Sequence, residues 1–165
     1  MNPLMKFNKE CLEAHNKLRA LHGCKPLTYD PDLAKQAQGH AEYLASKRRM
    51  IHSLALDYGE NIAKKSGSPG FKLTGTEATL MWYSEISSYD FDKGDQVECG
   101  HFTQCVWENT ERAGFGYAKT REGDVAIVVA QYRPPGNYSG DFPRRVPPPI
   151  NGKPNVPTIK DVSIM

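Results

Sequence analysis

The chain has 165 residues, 39% hydrophobic and 24% charged, with a net charge of +2 at pH 7. This excludes a disordered chain, and the length fits one domain that buries roughly two-thirds of its unfolded surface without help from a metal or disulfide. A pI near 8.3 also excludes a dedicated nucleic-acid binder, for which a pI above about 9 and a basic stripe are expected.

In chain order, Phe7, Cys11, Leu12, His15, Leu18 and Leu21 recur every three or four residues. They predict a first helix that stops at Gly23. Asp30 caps a second helix and Pro31 suits its first position. Leu33, Ala37, Ala41 and Leu44 form its apolar face, and Lys47-Arg48-Arg49 ends it. The segment 53–66 reads as irregular with a short strand, and 66–70 (SGSPG) as a loop. Thr74 and Glu77 have capping-box spacing and open a third helix. Its inward stripe is Ala78, Met81, Trp82, Glu85 and Tyr89. Residues 87–99 read as a polar loop and 101–109 as a short fourth helix. Two strands, 113–120 and 124–133, are joined by Arg121-Glu122-Gly123-Asp124, a short hairpin connection. The second strand is almost continuously apolar, as expected of a buried central strand. From about Asn137 the chain turns Pro-rich, with Pro143, Pro147, Pro148, Pro149, Pro154 and Pro157. This reads as an extended tail, and its PxxP stretch at 154–157 is a candidate site for protein partners.

No run reaches the ~18–20 apolar residues of a membrane span. The N-terminal segment lacks the apolar core and small-residue cleavage site of a signal peptide. Asn2 stands where N-myristoylation requires glycine.

Four polar side chains stand out. Glu85 falls on an apolar helical stripe, where a carboxylate is costly unless a cation, a metal or hydrogen-bond donors meet it; otherwise it lies at the solvent margin. His101 opens the fourth helix, Glu60 sits in the turn-like Gly59-Glu60-Asn61, and His52 follows Met50-Ile51. Two histidines and two carboxylates suit either a divalent ion such as zinc or an acid/base cluster, although none has HExxH or CxxC spacing. Cys105 lies four residues after His101 and offers a Cys–His nucleophilic pair or a small buried side chain.

Four motifs, in order, carry a family resemblance: HNKLR at 15–19, GENI at 59–62, GHFTQCVWENT at 100–110 and QYRPPGNY at 131–138. Over residues 5–140 the chain resembles the CAP superfamily of cysteine-rich secretory, antigen-five and pathogenesis-related proteins. The resemblance implies an α+β fold, an α-β-α sandwich with a small antiparallel sheet between helices. It implies a CAP domain over 1–140, followed by the tail at 141–165. It also implies a cleft tetrad of His52, Glu60, Glu85 and His101, with zinc or another divalent cation held mainly by His52 and His101. His15, Asn16 and Arg19 match a motif whose role in the family is structural.

Family disulfide positions read Ala130 and Tyr117 here, so Cys11, Cys24, Cys99 and Cys105 are expected to be mainly free, as in a reducing compartment. Among the superfamily, the chain is most similar to intracellular, Golgi-associated members. That likeness implies a cytoplasmic protein at the membrane periphery, partnered by anionic lipid and able to form a homodimer. An extracellular ligand-binding role is the alternative location, and there Asn137-Tyr138-Ser139 would be a glycosylation sequon. The expected function is non-enzymatic binding, with Lys47-Arg48-Arg49, Lys64-Lys65 and Arg144-Arg145 as basic clusters facing anionic lipid. A metal-dependent hydrolase using the tetrad is the enzymatic alternative. The stretch 91–99 before the third motif, FDKGDQVEC, is charged, with Phe91 its one aromatic, so sterol binding is not expected.

Overall fold

The computed structural model describes residues 1–54 and 57–162; Ala55 and Leu56, within the segment read as irregular, lie outside it, as do residues 163–165. The elements are α1 (Pro3–Leu21), β1 (Thr28–Tyr29), α2 (Pro31–Lys47), β2 (Gly59–Ser66), α3 (Gly75–Tyr83), α4 (Gly100–Val106), β3 (Arg112–Lys119), β4 (Val125–Arg133), α5 (Phe142–Arg145) and α6 (Ile159–Val162).

The helix starts follow local chemistry. The Asp30 carboxylate accepts from the amides of Asp32 and Leu33 at 2.9 and 3.1 Å. Thr74 and Glu77 form a reciprocal capping box. The sheet order is β1-β3-β4-β2. β2 and β3 each pair antiparallel with β4, and β1 pairs parallel with β3 over two residues, so the sheet is mixed at one edge. β4 is buried along its length because both faces are covered. Val128, Ala130 and Tyr132 join the core beneath α1, α3 and α4, while Ile127 and Val129 join the core beneath α2. This is the expected three-layer sandwich. α2 lies so close to β3 that a Cβ on Gly114 would sit 2.1 Å from the Ala34 nitrogen.

Three expectations change. Helix α3 stops at Tyr83 and a 3-10 turn, Ser84–Ser88, follows. The predicted stripe holds at Ala78, Trp82 and Tyr89 but not at Met81, which is 37% exposed, and Thr79 and Tyr83 are buried as well. The strand expected within 53–66 is a full eight residues. It is an edge strand, buried on both faces through Asn61–Ala63 and exposed at its lysine-bearing end. The stretch after Asn137 is not wholly extended either. Phe142 packs edge-on against Trp107 at 5.3 Å, and Val146 is buried. The Pro-rich segment then runs back over α1, where the Ile150 amide donates to the Leu21 carbonyl at 2.8 Å. His22 Nδ1 donates to the Pro147 carbonyl, and its Nε2 accepts from the Tyr83 hydroxyl, both at 2.7 Å.

Candidate functional site

The four polar residues form two histidine–carboxylate pairs. Glu60 is the second residue of β2 and Asn61 the third, so their side chains leave the strand on opposite faces. Glu60 Oε1 accepts from His52 Nδ1 and from the Ser53 amide, each at 2.9 Å. Its Oε2 accepts from Ser53 Oγ at 2.5 Å and from Gln131 Nε2 at 2.9 Å. Gln131 lies directly across from Glu60 on β4. The Glu60 side chain is 2% exposed and that of His52 is 62% exposed, so a buried carboxylate holds an exposed ring. Burial by itself would raise the Glu60 carboxyl; the donors from His52, Ser53 and Gln131 outweigh it and hold the group at about 2. The hydrogen bond to Glu60 raises His52 in turn.

The second pair lies beside α4. Glu85 belongs to the 3-10 turn after α3, not to the helix itself, and is half-buried. Its Oε2 accepts from His101 Nδ1 at 2.8 Å and its Oε1 from the Phe102 amide at 2.9 Å. The carboxylate near the apolar stripe is thus met by a ring and by an amide in the first turn of α4. Asn61 joins the two halves, since its Nδ2 donates to the His101 carbonyl at 3.0 Å. Gly59 lets β2 approach α4, because a Cβ there would sit 2.1 Å from Gln104 Oε1.

In both pairs Nδ1 meets a carboxylate, which fixes that nitrogen as the protonated one and leaves the Nε2 lone pair outward. All four carboxylate oxygens already accept hydrogen bonds, so Glu60 and Glu85 orient rings. Among the described residues no group of three or more His, Cys, Asp or Glu is placed to hold a metal ion. A cation here would take two imidazoles and complete its coordination with water or another ligand.

Nothing in the sequence alone marks Ser53 or Asn61 as part of the site. Gln131 left a signal, a polar residue near the end of an apolar strand. Glu60→Gln is expected to let the His52 ring fall back toward its ordinary 6.5. It should also cost about 1–3 kcal/mol, because buried donors lose their acceptor. Ring titration by NMR and urea unfolding measure the two effects.

The remaining predicted residues are structural. His15 is fully buried between the Cys11 carbonyl at 2.8 Å and the Tyr132 hydroxyl at 2.7 Å. Asn16 clamps the Leu27 backbone, donating to its carbonyl and accepting from its amide. Arg19 is buried and donates to four backbone carbonyls: Lys25, Cys105, Trp107 and Thr110. The Cys–His alternative fails, because Cys105 is fully buried, burial first of all pushes its thiol to about 12, and His101 Nδ1 is committed to Glu85. All four cysteines are free and buried.

The basic clusters are partly neutralised. Arg48 pairs with Glu122 and Asp124, Lys65 with Glu77, Arg144 with Asp141 and Arg145 with Glu108. Among the described residues no helix is long and apolar enough to cross a membrane.

Known proteins resemble the chain in sequence and in fold. The chain is 41% identical over 150 residues to the Golgi-associated plant pathogenesis-related protein 1 of Homo sapiens, covering 87% of this chain and 94% of that one. It is 39% identical over 138 residues to pathogenesis-related protein 1A of Nicotiana tabacum, covering 82% and 79%. The crystal structure of NaASP2 with Zn2+ superposes with a TM-score of 0.67 at 26% identity, covering 82% and 83%. That of MpPR-1i gives 0.62 at 23%, covering 84% and 93%. Residues 12–132 match the model of the CAP family, the cysteine-rich secretory protein family, and the chain belongs to that family.

Proposed function

We propose that this CAP domain is a non-enzymatic binding module whose two histidine–carboxylate pairs hold one divalent cation, zinc, through the Nε2 atoms of His52 and His101. The observation that carries this reading is the shared geometry of the pairs: each carboxylate fixes Nδ1–H and so presents Nε2 as a neutral ligand atom. The likeness to NaASP2, whose structure was determined with Zn2+, supports it. When bound, zinc supplies a charge that can anchor an anionic ligand; the chain's own residues orient the rings and bury the supporting carboxylate.

Zinc is expected to raise the Tm of the wild type by several degrees and to leave His52→Ala/His101→Ala unmoved. The rings must be neutral to ligate, and Glu60 raises His52 above its ordinary 6.5, so the shift should fade as pH falls through and below that value. A shift that survives the double substitution would place the ion elsewhere.

The second part of the proposal is peripheral association with anionic membranes. The name of the Golgi-associated relative supports it, as do Lys47, Arg49 and Lys64, which carry no ion pair among the described residues. Acidic vesicles should sediment the protein and neutral ones should not. Lys47→Glu/Arg49→Glu/Lys64→Glu should remove about 1 kcal/mol or more per charge reversed. Binding that ignores lipid charge and salt would refute the electrostatic reading.

A further inference from the structure

β3 has an outer edge that β1 covers only in part. β1 pairs with Arg112 and Ala113 and then ends. The next two outward-facing residues, Phe115 and Tyr117, would leave two amides and two carbonyls open. Two side-chain carboxamides take their place. Asn8 of α1 accepts from the Phe115 amide and donates to its carbonyl, both at 2.8 Å. Gln38 of α2 accepts from the Tyr117 amide at 2.8 Å and donates to its carbonyl at 2.9 Å. The helices lie on opposite faces of the sheet, and each sends one amide around to the same edge. A carboxamide has the donor and acceptor of a peptide unit, so Asn8 and Gln38 continue the ladder where β1 stops.

The edge floors a groove of about 720 Å³ between the two helices. Leu4, Met5 and Tyr29 line it and are 41%, 57% and 42% exposed, an apolar margin beside a strand edge. Its other wall carries Lys35 and Glu42 on either side of Gln38. Helix α2 runs in the direction of β3, since Ala34 lies against Gly114, and Ala37 and Gln38 lie against Gly116. Two β3 edges paired antiparallel about a two-fold axis through residues 115–117 would therefore set Lys35 of each copy toward Glu42 of the other. With the two carboxamides withdrawn, the edge would be self-complementary in hydrogen bonding, apolar margin and charge, as an isologous contact requires.

We propose that the β3 edge over Phe115–Tyr117 is a strand-pairing surface for a second copy of this chain, and that Asn8 and Gln38 hold it shut. An unguarded edge of this kind pairs readily.

The test is sedimentation velocity over a concentration series, with amide exchange at residues 115 and 117. Wild-type amides should be protected at every concentration. Asn8→Ala/Gln38→Ala should self-associate at least about tenfold more tightly than wild type, and its two amides should be protected only in the associated form. Adding Lys35→Glu should weaken that association, and Lys35→Glu/Glu42→Lys should restore it. Should the double variant fail to fold, Gln38→Ala alone, at a half-buried position, takes the same two charge substitutions. A folded, guard-free variant that stays as monodisperse as wild type would overturn the proposal. So would association indifferent to the Lys35 and Glu42 changes.

Discussion

Arg19→Leu is expected to destabilise the protein by about 4 kcal/mol or more. Four backbone carbonyls lose a charged donor, and each buried carbonyl left bare costs about 1–3 kcal/mol, offset in part where water or relaxation reaches it. A domain of this size holds roughly 5–15 kcal/mol in all, so the variant should be marginal at room temperature. The geometry explains why charge is buried here at all. Carbonyls at the end of α4 and in the turn beyond it have no partner in the helix ladder, and one guanidinium on α1 reaches three of them as well as Lys25. Arg19→Lys keeps the charge but not the planar fork, so it should recover less than half of the loss. Urea unfolding measures both; a loss below about 1.5 kcal/mol for Arg19→Leu would show that the carbonyls find other donors.

His15 should dominate the acid side of the stability profile. Burial lowers its pKa from 6.5 to about 4 despite the hydrogen bond to the Cys11 carbonyl. In the unfolded chain the ring protonates near 6.5. Between those values the unfolded chain binds the proton and the fold does not, so stability falls as pH falls from 6.5, and the loss is complete below about 4. The full effect is about 3 kcal/mol. Glu60 acts lower down: its stabilisation is present above 4.5 and is lost as pH falls toward about 2. His15→Gln should be less stable at pH 7 and should lose most of the slope between pH 6.5 and 4, the remainder coming from His22, which burial also lowers. Equal slopes for the variant and the wild type across that window would assign the acid sensitivity to other groups.

What the sequence reveals is local. Asp30 with Pro31, and Thr74 with Glu77, announce helix starts because cap and amide lie within three residues of one another. The end of α3 has no such mark; its turn tightens where Glu85 meets the start of α4, sixteen residues on, and no periodicity carries that contact. β1 is two residues long and exists because β3 offers an edge. Phe142 looks like tail until Trp107 is placed beside it. The family resemblance gathers His52, Glu60, Glu85 and His101, but their division into two pairs, with both carboxylates used up as acceptors, emerges only in three dimensions. Ser53 and Asn61 are small polar residues that look like any others until the strand places Glu60 and Asn61 on opposite faces.

Crystals grown with zinc and measured for its anomalous signal test the central claim most directly. The two pairs predict one zinc peak bonded to Nε2 of His52 and Nε2 of His101, with both Nδ1–carboxylate contacts retained. A zinc held by Glu60 or Glu85 with its histidine turned away, or bound at neither ring, would contradict the account.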